Sequence, residues 1–62
     1  MDMITVKQCR VGEYVRFTEN GPVWIRGEYD RSEKRYWLYR FDDVNSGKFV
    51  AGARQVFVGF TF

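Results

Sequence analysis

The chain has 62 residues, with ten Lys and Arg against eight Asp and Glu, no His and one Cys. A chain this short is one domain, residues 1–62, that buries only about 60% of its unfolded surface, and a net charge of +2 is too weak to imply a nucleic-acid partner by itself. One cysteine excludes an intrachain disulfide, no run reaches the roughly 18 apolar residues of a membrane span, and residues 1–10 lack the charged-then-apolar pattern of a signal peptide. A cytoplasmic protein with no membrane association is therefore expected. Six Phe, four Tyr and two Trp are expected to supply much of the buried area.

Residues 1–10 have no strict period. Met3, Val6 and Cys9 fall three apart, which suits one helical turn laid on the core. A short edge strand over residues 4–6 is the alternative. Cys9 lies between Val6 and Val11 and reads as a small buried apolar side chain. Residues 11–18 then alternate, with Val15 and Phe17 inward and Tyr14, Arg16 and Thr18 outward, which predicts a strand. Asn20-Gly21 is a turn signal, because both residues tolerate positive φ. Pro22 fits the start of the next strand, where no ladder donor is needed.

Residues 22–41 hold two aromatic, β-branched runs around five polar residues, the pattern of a long β-hairpin. A turn centred on Ser32–Glu33 pairs Tyr29 with Tyr36, Gly27 with Leu38, Glu28 with Trp37, Arg26 with Tyr39 and Trp24 with Phe41. One face then holds Val23, Ile25, Tyr29, Tyr36 and Leu38, the expected core side. The other holds Trp24, Arg26, Glu28, Trp37 and Tyr39. A one-residue slip would exchange the two faces. Arg40 points inward in this register, which argues for a bulge or for the strand leaving the sheet there.

Residues 42–47, Asp-Asp-Val-Asn-Ser-Gly, are expected to form a loop that bonds its own backbone. Asn45 is placed to cap a helical turn through Lys48, Phe49 and Val50, and a brief strand there is the equal alternative. Residues 56–62 close the chain as a strand, with Val56, Val58, Phe60 and Phe62 on one face and Phe57 and Thr61 on the other. Four or five short strands joined by tight turns predict a mainly all-β fold. The favoured form is a small, strongly bent antiparallel sheet closed as an SH3-like barrel, with room for one short helical turn; an open sheet carrying one helical turn is the alternative.

Catalysis is poorly provided for. There is no histidine for acid–base work, Cys9 has no imidazole partner, and no serine sits in a nucleophile-elbow pattern. Asp42, Asp43 and Asn45 fall short of the ligand count of a calcium loop. No cofactor motif or metal site is expected. The best functional candidate is the aromatic and charged hairpin face of Trp24, Arg26, Trp37 and Tyr39, extended by Arg16 and Tyr14 from the first strand. Such a surface suits a protein interface, where Trp, Tyr and Arg dominate the binding energy. It also suits stacking of nucleobases, or simple support of a thin sheet.

Val23 to Ser32 (Val-Trp-Ile-Arg-Gly-Glu-Tyr-Asp-Arg-Ser), then Phe41-Asp42-Asp43-Val44-Asn45 and the run from Val56 to Phe62, resemble a group of short uncharacterised proteins of bacterial phages and mobile elements. The resemblance covers most of the chain and carries no activity or site residue with it. It implies a bacterial, cytoplasmic, accessory setting. Taken together, a non-enzymatic binding module for a protein partner is expected, with single-stranded nucleic-acid binding as the alternative.

Overall fold

The polar tip of the central hairpin is built by one carboxylate. In the computed structural model, which describes residues 2–60, Asp30 Oδ1 accepts from the main-chain N–H of Ser32 (2.8 Å) and of Glu33 (3.0 Å), and its carbonyl accepts from Lys34 N–H (2.8 Å). This is the aspartate turn that short polar side chains favour. It joins β3 (Trp24–Asp30) to β4 (Arg35–Arg40) through residues 31–34, centred as expected on Ser32–Glu33. Lys34 closes the loop at φ 56°, a left-handed conformation that strains a residue with a Cβ.

Pairing from the tip begins as the sequence predicts, with Asp30 opposite Arg35 and Tyr29 opposite Tyr36. Then the register shifts. Arg26, not Gly27, faces Leu38; Ile25 faces Tyr39 and Trp24 faces Arg40. Gly27 and Glu28 together oppose Trp37, which is a β-bulge of one extra residue. Gly27 suits the place: a Cβ there would come within 2.8 Å of the Trp37 carbonyl oxygen. Because side chains alternate, the extra residue exchanges the faces of the N-terminal part of β3. Trp24 and Arg26 turn inward with Leu38, and Ile25 turns outward. The expected core side, with Val23 and Ile25, is therefore corrected for this part of the hairpin. Arg40 does lie on the inner side at the far end of β4, as alternation from Leu38 requires; no bulge in β4 turns it outward, and its guanidinium lies over the Trp24 ring.

The other elements are short. β1 (Asp2–Thr5) runs into a 3₁₀ turn (Val6–Gln8), which Gln8 caps by accepting from Thr5 N–H at 2.9 Å. Val6 and Cys9 are buried as expected, but Met3 lies in the strand and is exposed. β2 (Tyr14–Val15) is only two residues long. A turn delays its start: Glu13 N–H donates to the Arg10 carbonyl, and Gly12 sits at φ 90°. The turn at residues 18–21 is closed by Gly21 N–H to Thr18 O (3.3 Å), with neither Asn20 nor Gly21 at positive φ. The tight mirror-image turn expected of Asn-Gly is not needed, because eight residues separate β2 from β3. Residues 47–50 form β5 (Gly47–Val50), not a helical turn. Asn45 does not cap it; its N–H donates to Asp43 Oδ1, while Ser46 Oγ donates to Asp43 Oδ2. β6 (Gln55–Val58) ends earlier than expected, at Gly59, whose φ of 71° turns the chain. Thr61 and Phe62, expected to extend that strand, lie outside the described residues.

The strands make two antiparallel sheets, β1-β6 and β2-β3-β4-β5. A reciprocal pair of bonds joins them: Arg16 N–H to Phe57 O (3.0 Å) and Phe57 N–H to Arg16 O (2.8 Å). The chain thus leaves one sheet for the other between Val15 and Arg16. The turn after β1 is also bonded to the loop after β5, by Val6 N–H to Arg54 O and Lys7 N–H to Gly52 O. The fold is all-β, but no strand ladder joins β1 to β5 among the described residues, so the pairing stops short of a closed SH3-like barrel.

Both sheets bury aliphatic side chains between them. Val6, Cys9, Val15, Leu38, Val50, Val56 and Val58 form the core, with Ile4, Phe17, Trp24 and Tyr36 packed against it. No aromatic ring is fully buried among the described residues; the rings cover the core and do not fill it. No helix of the described residues is long and apolar enough to cross a membrane.

Two substitutions test this account. Leu38 is completely buried, so Leu38→Ala should lose about 2–5 kcal/mol in a urea melt, a large share of a small domain's stability. A loss below about 1 kcal/mol would contradict its place in the core. At the hairpin tip, Lys34→Gly should raise stability by about 1 kcal/mol by removing left-handed strain. Lys34→Val should lower it in the same assay.

Candidate binding surfaces

The outer face of the larger sheet follows from its register. Tyr14, Ile25, Tyr39 and Gly47 are successive partners across β2, β3, β4 and β5. Trp37 and Phe49 pair in the next row, with rings 5.0 Å apart and inclined at 61°. Gly47 makes room for that row: a Cβ at this position would collide with the Trp37 indole. At the other end Tyr14 meets Phe41 edge to face at 5.6 Å. Apolar and aromatic side chains therefore run across the whole sheet, with Phe41 49%, Tyr14 43% and Phe49 37% exposed.

Of the six side chains expected to form one surface, Tyr14, Trp37 and Tyr39 share this outer face. Trp24 and Arg26 do not; the bulge turns both to the inner side. Arg16 lies at the seam between the sheets, where its guanidinium covers the Phe60 ring at 4.5 Å and its Nη1 donates to the Glu19 carbonyl. Ile25, Phe41 and Phe49 belong to the surface and were not expected there. The one signal in the sequence is Gly27, since a lone glycine inside a strand pattern marks a bulge.

The inner side collects charge. Arg26 is buried, at 8% exposure, with its guanidinium over the Tyr36 ring at 4.3 Å and Nη1 donating to the Gly27 carbonyl at 2.9 Å. Its Nε is buried without a hydrogen-bond partner. Further along, Phe17 and Trp24 meet at 5.3 Å. Lys48 Nζ lies 4.4 Å from the Phe17 ring centre and 5.0 Å from that of Trp24. Arg54 covers Phe17 at 5.1 Å and Arg40 covers Trp24 at 5.7 Å. Each such contact at an exposed site contributes about 0.5–1 kcal/mol, but together they fix where the cations stand.

The remaining chemistry-bearing groups have local tasks. Asp42 holds Arg40 through both carboxylate oxygens, at 3.1 and 2.9 Å. Asp43 shapes the loop before β5. Burial pushes the Cys9 thiol up to about 11, with the Glu13 charge adding to the rise and Arg26 opposing it. The thiol is thus protonated at neutral pH and is no nucleophile.

The chain matches no protein-family model, no curated protein and no solved structure.

The tight setting of Arg26 yields a sharp expectation. Its stem packs in the core while its Nε has no partner, so the charge itself contributes little to folding. Arg26→Met should match or exceed the native stability by chemical denaturation, whereas Arg26→Ala should lose about 2–3 kcal/mol. Equal losses in both variants would show that the guanidinium is required.

Proposed function

We propose that the chain is a non-enzymatic binding module that receives a protein partner on the outer face, centred on Ile25, Trp37, Tyr39 and Phe49. The observation that carries this proposal is that the outer-face rings stand apart from the cations, while the inner rings, Phe17 and Trp24, are half-buried beneath theirs. Tyr39 and Trp37 stand in a sheet face from which Arg26 has been turned away, while Lys48, Arg54 and Arg40 lie over Phe17 and Trp24 on the inner side. A single-stranded nucleic acid needs stacking rings and phosphate-binding cations along one track. An aromatic centre with a polar edge, here exposed Glu28 and Arg35, suits a protein interface. A bacterial, cytoplasmic setting among phage or mobile-element accessory proteins belongs to the same proposal and rests on the resemblance of residues 23–32, 41–45 and 56–62.

The test is a titration of labelled single-stranded DNA and RNA at two salt concentrations, beside capture of partners from the native host. Native protein should show negligible oligonucleotide binding at physiological salt. Trp37→Ala should keep a dispersed amide spectrum yet lose the captured protein, while Glu33→Ala, at the hairpin tip, should retain it. Micromolar, salt-sensitive oligonucleotide binding that Trp37→Ala removes would overturn the proposal in favour of base stacking.

A further inference from the structure

β5 is the last strand of the larger sheet, and one of its edges is open. Arg40 N–H donates to the Ser46 carbonyl at 2.8 Å, so the main chain of residue 46 points at β4. Along an antiparallel strand this direction alternates. The main-chain groups of Lys48 and Val50 therefore face β4, and those of Gly47 and Phe49 face away from it. No strand covers that edge among the described residues. Just beyond it the Ala51 carbonyl is already used, by Arg54 N–H at 3.1 Å.

A shallow pocket of about 230 Å³ lies along this edge, lined by Arg35, Lys48, Phe49, Val50, Ala51 and Arg54. Three of the six are cations and none is an acid. Among the described residues the one ion pair is Arg40–Asp42, so Arg35, Lys48 and Arg54 have no carboxylate partner there. Two of the three are also held in place, because Lys48 and Arg54 both rest on the Phe17 ring. An open strand edge beside fixed, unpaired cations is a template with a charge preference. A second copy of β5 would bring Lys48 against like charge, which discourages self-pairing. An acidic strand meets no such repulsion.

We propose that the open edge of β5 receives an acidic, extended segment of another protein as a fifth strand of the larger sheet. Its main chain bonds to the N–H and carbonyl of Phe49, and a carboxylate side chain sits among Arg35, Lys48 and Arg54. Main-chain bonds supply the affinity and the charged pocket supplies the selectivity, as in other strand-addition interfaces. This edge adjoins the outer aromatic face and shares Phe49 and Arg35 with it, but it uses the Phe49 main chain where that face uses the ring, so N-methylation of Phe49 and Trp37→Ala test the two separately.

The probes are two short fluorescent peptides, one alternating Glu with Val and the other alternating Lys with Val, titrated against the full chain by anisotropy. The acidic peptide should bind at least about tenfold more tightly than the basic one. Lys48→Glu combined with Arg54→Glu should reverse that order. Because this double variant also removes cations from Phe17, a second and gentler change isolates the edge. N-methylation of the Phe49 amide, in a chain made by chemical synthesis, removes the outward donor and leaves every bond to β4. It should weaken the acidic peptide by about tenfold, the worth of one well-made hydrogen bond. Equal binding of both peptides, binding of neither, or no effect of N-methylation would each overturn the proposal. So would amide shifts centred on Trp37 and Tyr39 in place of residues 47–51.

Discussion

One extra residue in β3 decides where most of this protein's chemistry lies. Gly27 and Glu28 oppose Trp37 alone, and beyond them every β3 side chain is on the opposite side from a regular hairpin. The bulge sends Arg26 and Trp24 to the inner side with Val15, Leu38 and Val50, and it lifts Ile25 to the outer side between Tyr14 and Tyr39. Charge and exposed aromatic surface are sorted by the same step. Without the bulge, Arg26 would stand among Trp37 and Tyr39, and one surface would carry both rings and a cation. With it, the outer face is aromatic and apolar, and the cations gather around Phe17 and Trp24 on the other side.

The rest of the fold makes that arrangement possible in few residues. The core is aliphatic and valine-rich, with Leu38, Val6, Val15 and Val56 fully buried. Burying such a side chain stabilises by about 1.5–3 kcal/mol. The exposed Arg40–Asp42 pair contributes about 0–1 kcal/mol, so packing between the sheets outweighs surface electrostatics. The seam at Arg16 and Phe57 holds the sheets in position with two reciprocal main-chain bonds. The arginines beside this core keep their charge over rings: Arg26 on Tyr36 and Arg16 on Phe60.

Much of this was legible in the residues. The two aromatic runs and the polar stretch between them place the central hairpin and its tip, down to Tyr29 opposite Tyr36. Leu38, Val15, Val56, Val58 and Cys9 read as core from their alternation or their neighbours, and all are buried. The face of Trp24 and Arg26 was not legible, because alternation cannot register an inserted residue. The inward side of Arg40 is no guide to it, because a bulge in β3 leaves the alternation of β4 unchanged; Gly27, a lone glycine in the run, is the residue that suits it. Turn chemistry misled at Asn20-Gly21, where a long connection removes the need for positive φ. Composition says that rings would contribute buried area but not where: Phe17, Trp24 and Tyr36 are half-buried and cover the aliphatic core. Of the six side chains expected together, Tyr14, Trp37 and Tyr39 do share one face. Ile25 and Phe49 were found only once the register was known.

The bulge is the claim on which the separation of the two faces rests, and a two-dimensional nuclear Overhauser spectrum tests it directly. In an antiparallel ladder the non-hydrogen-bonded pairs bring their Cα atoms within about 4.5 Å, close enough for a strong Hα–Hα signal. The Arg26 main chain bonds to Glu13 and Gly12 on the β2 side, so Arg26 and Leu38 form such a pair, as do Trp24 and Arg40. Cross-peaks between Arg26 and Leu38 and between Trp24 and Arg40 are the expected result. Cross-peaks between Gly27 and Leu38 and between Ile25 and Arg40 would show a regular hairpin, return Arg26 to the outer face and contradict the account.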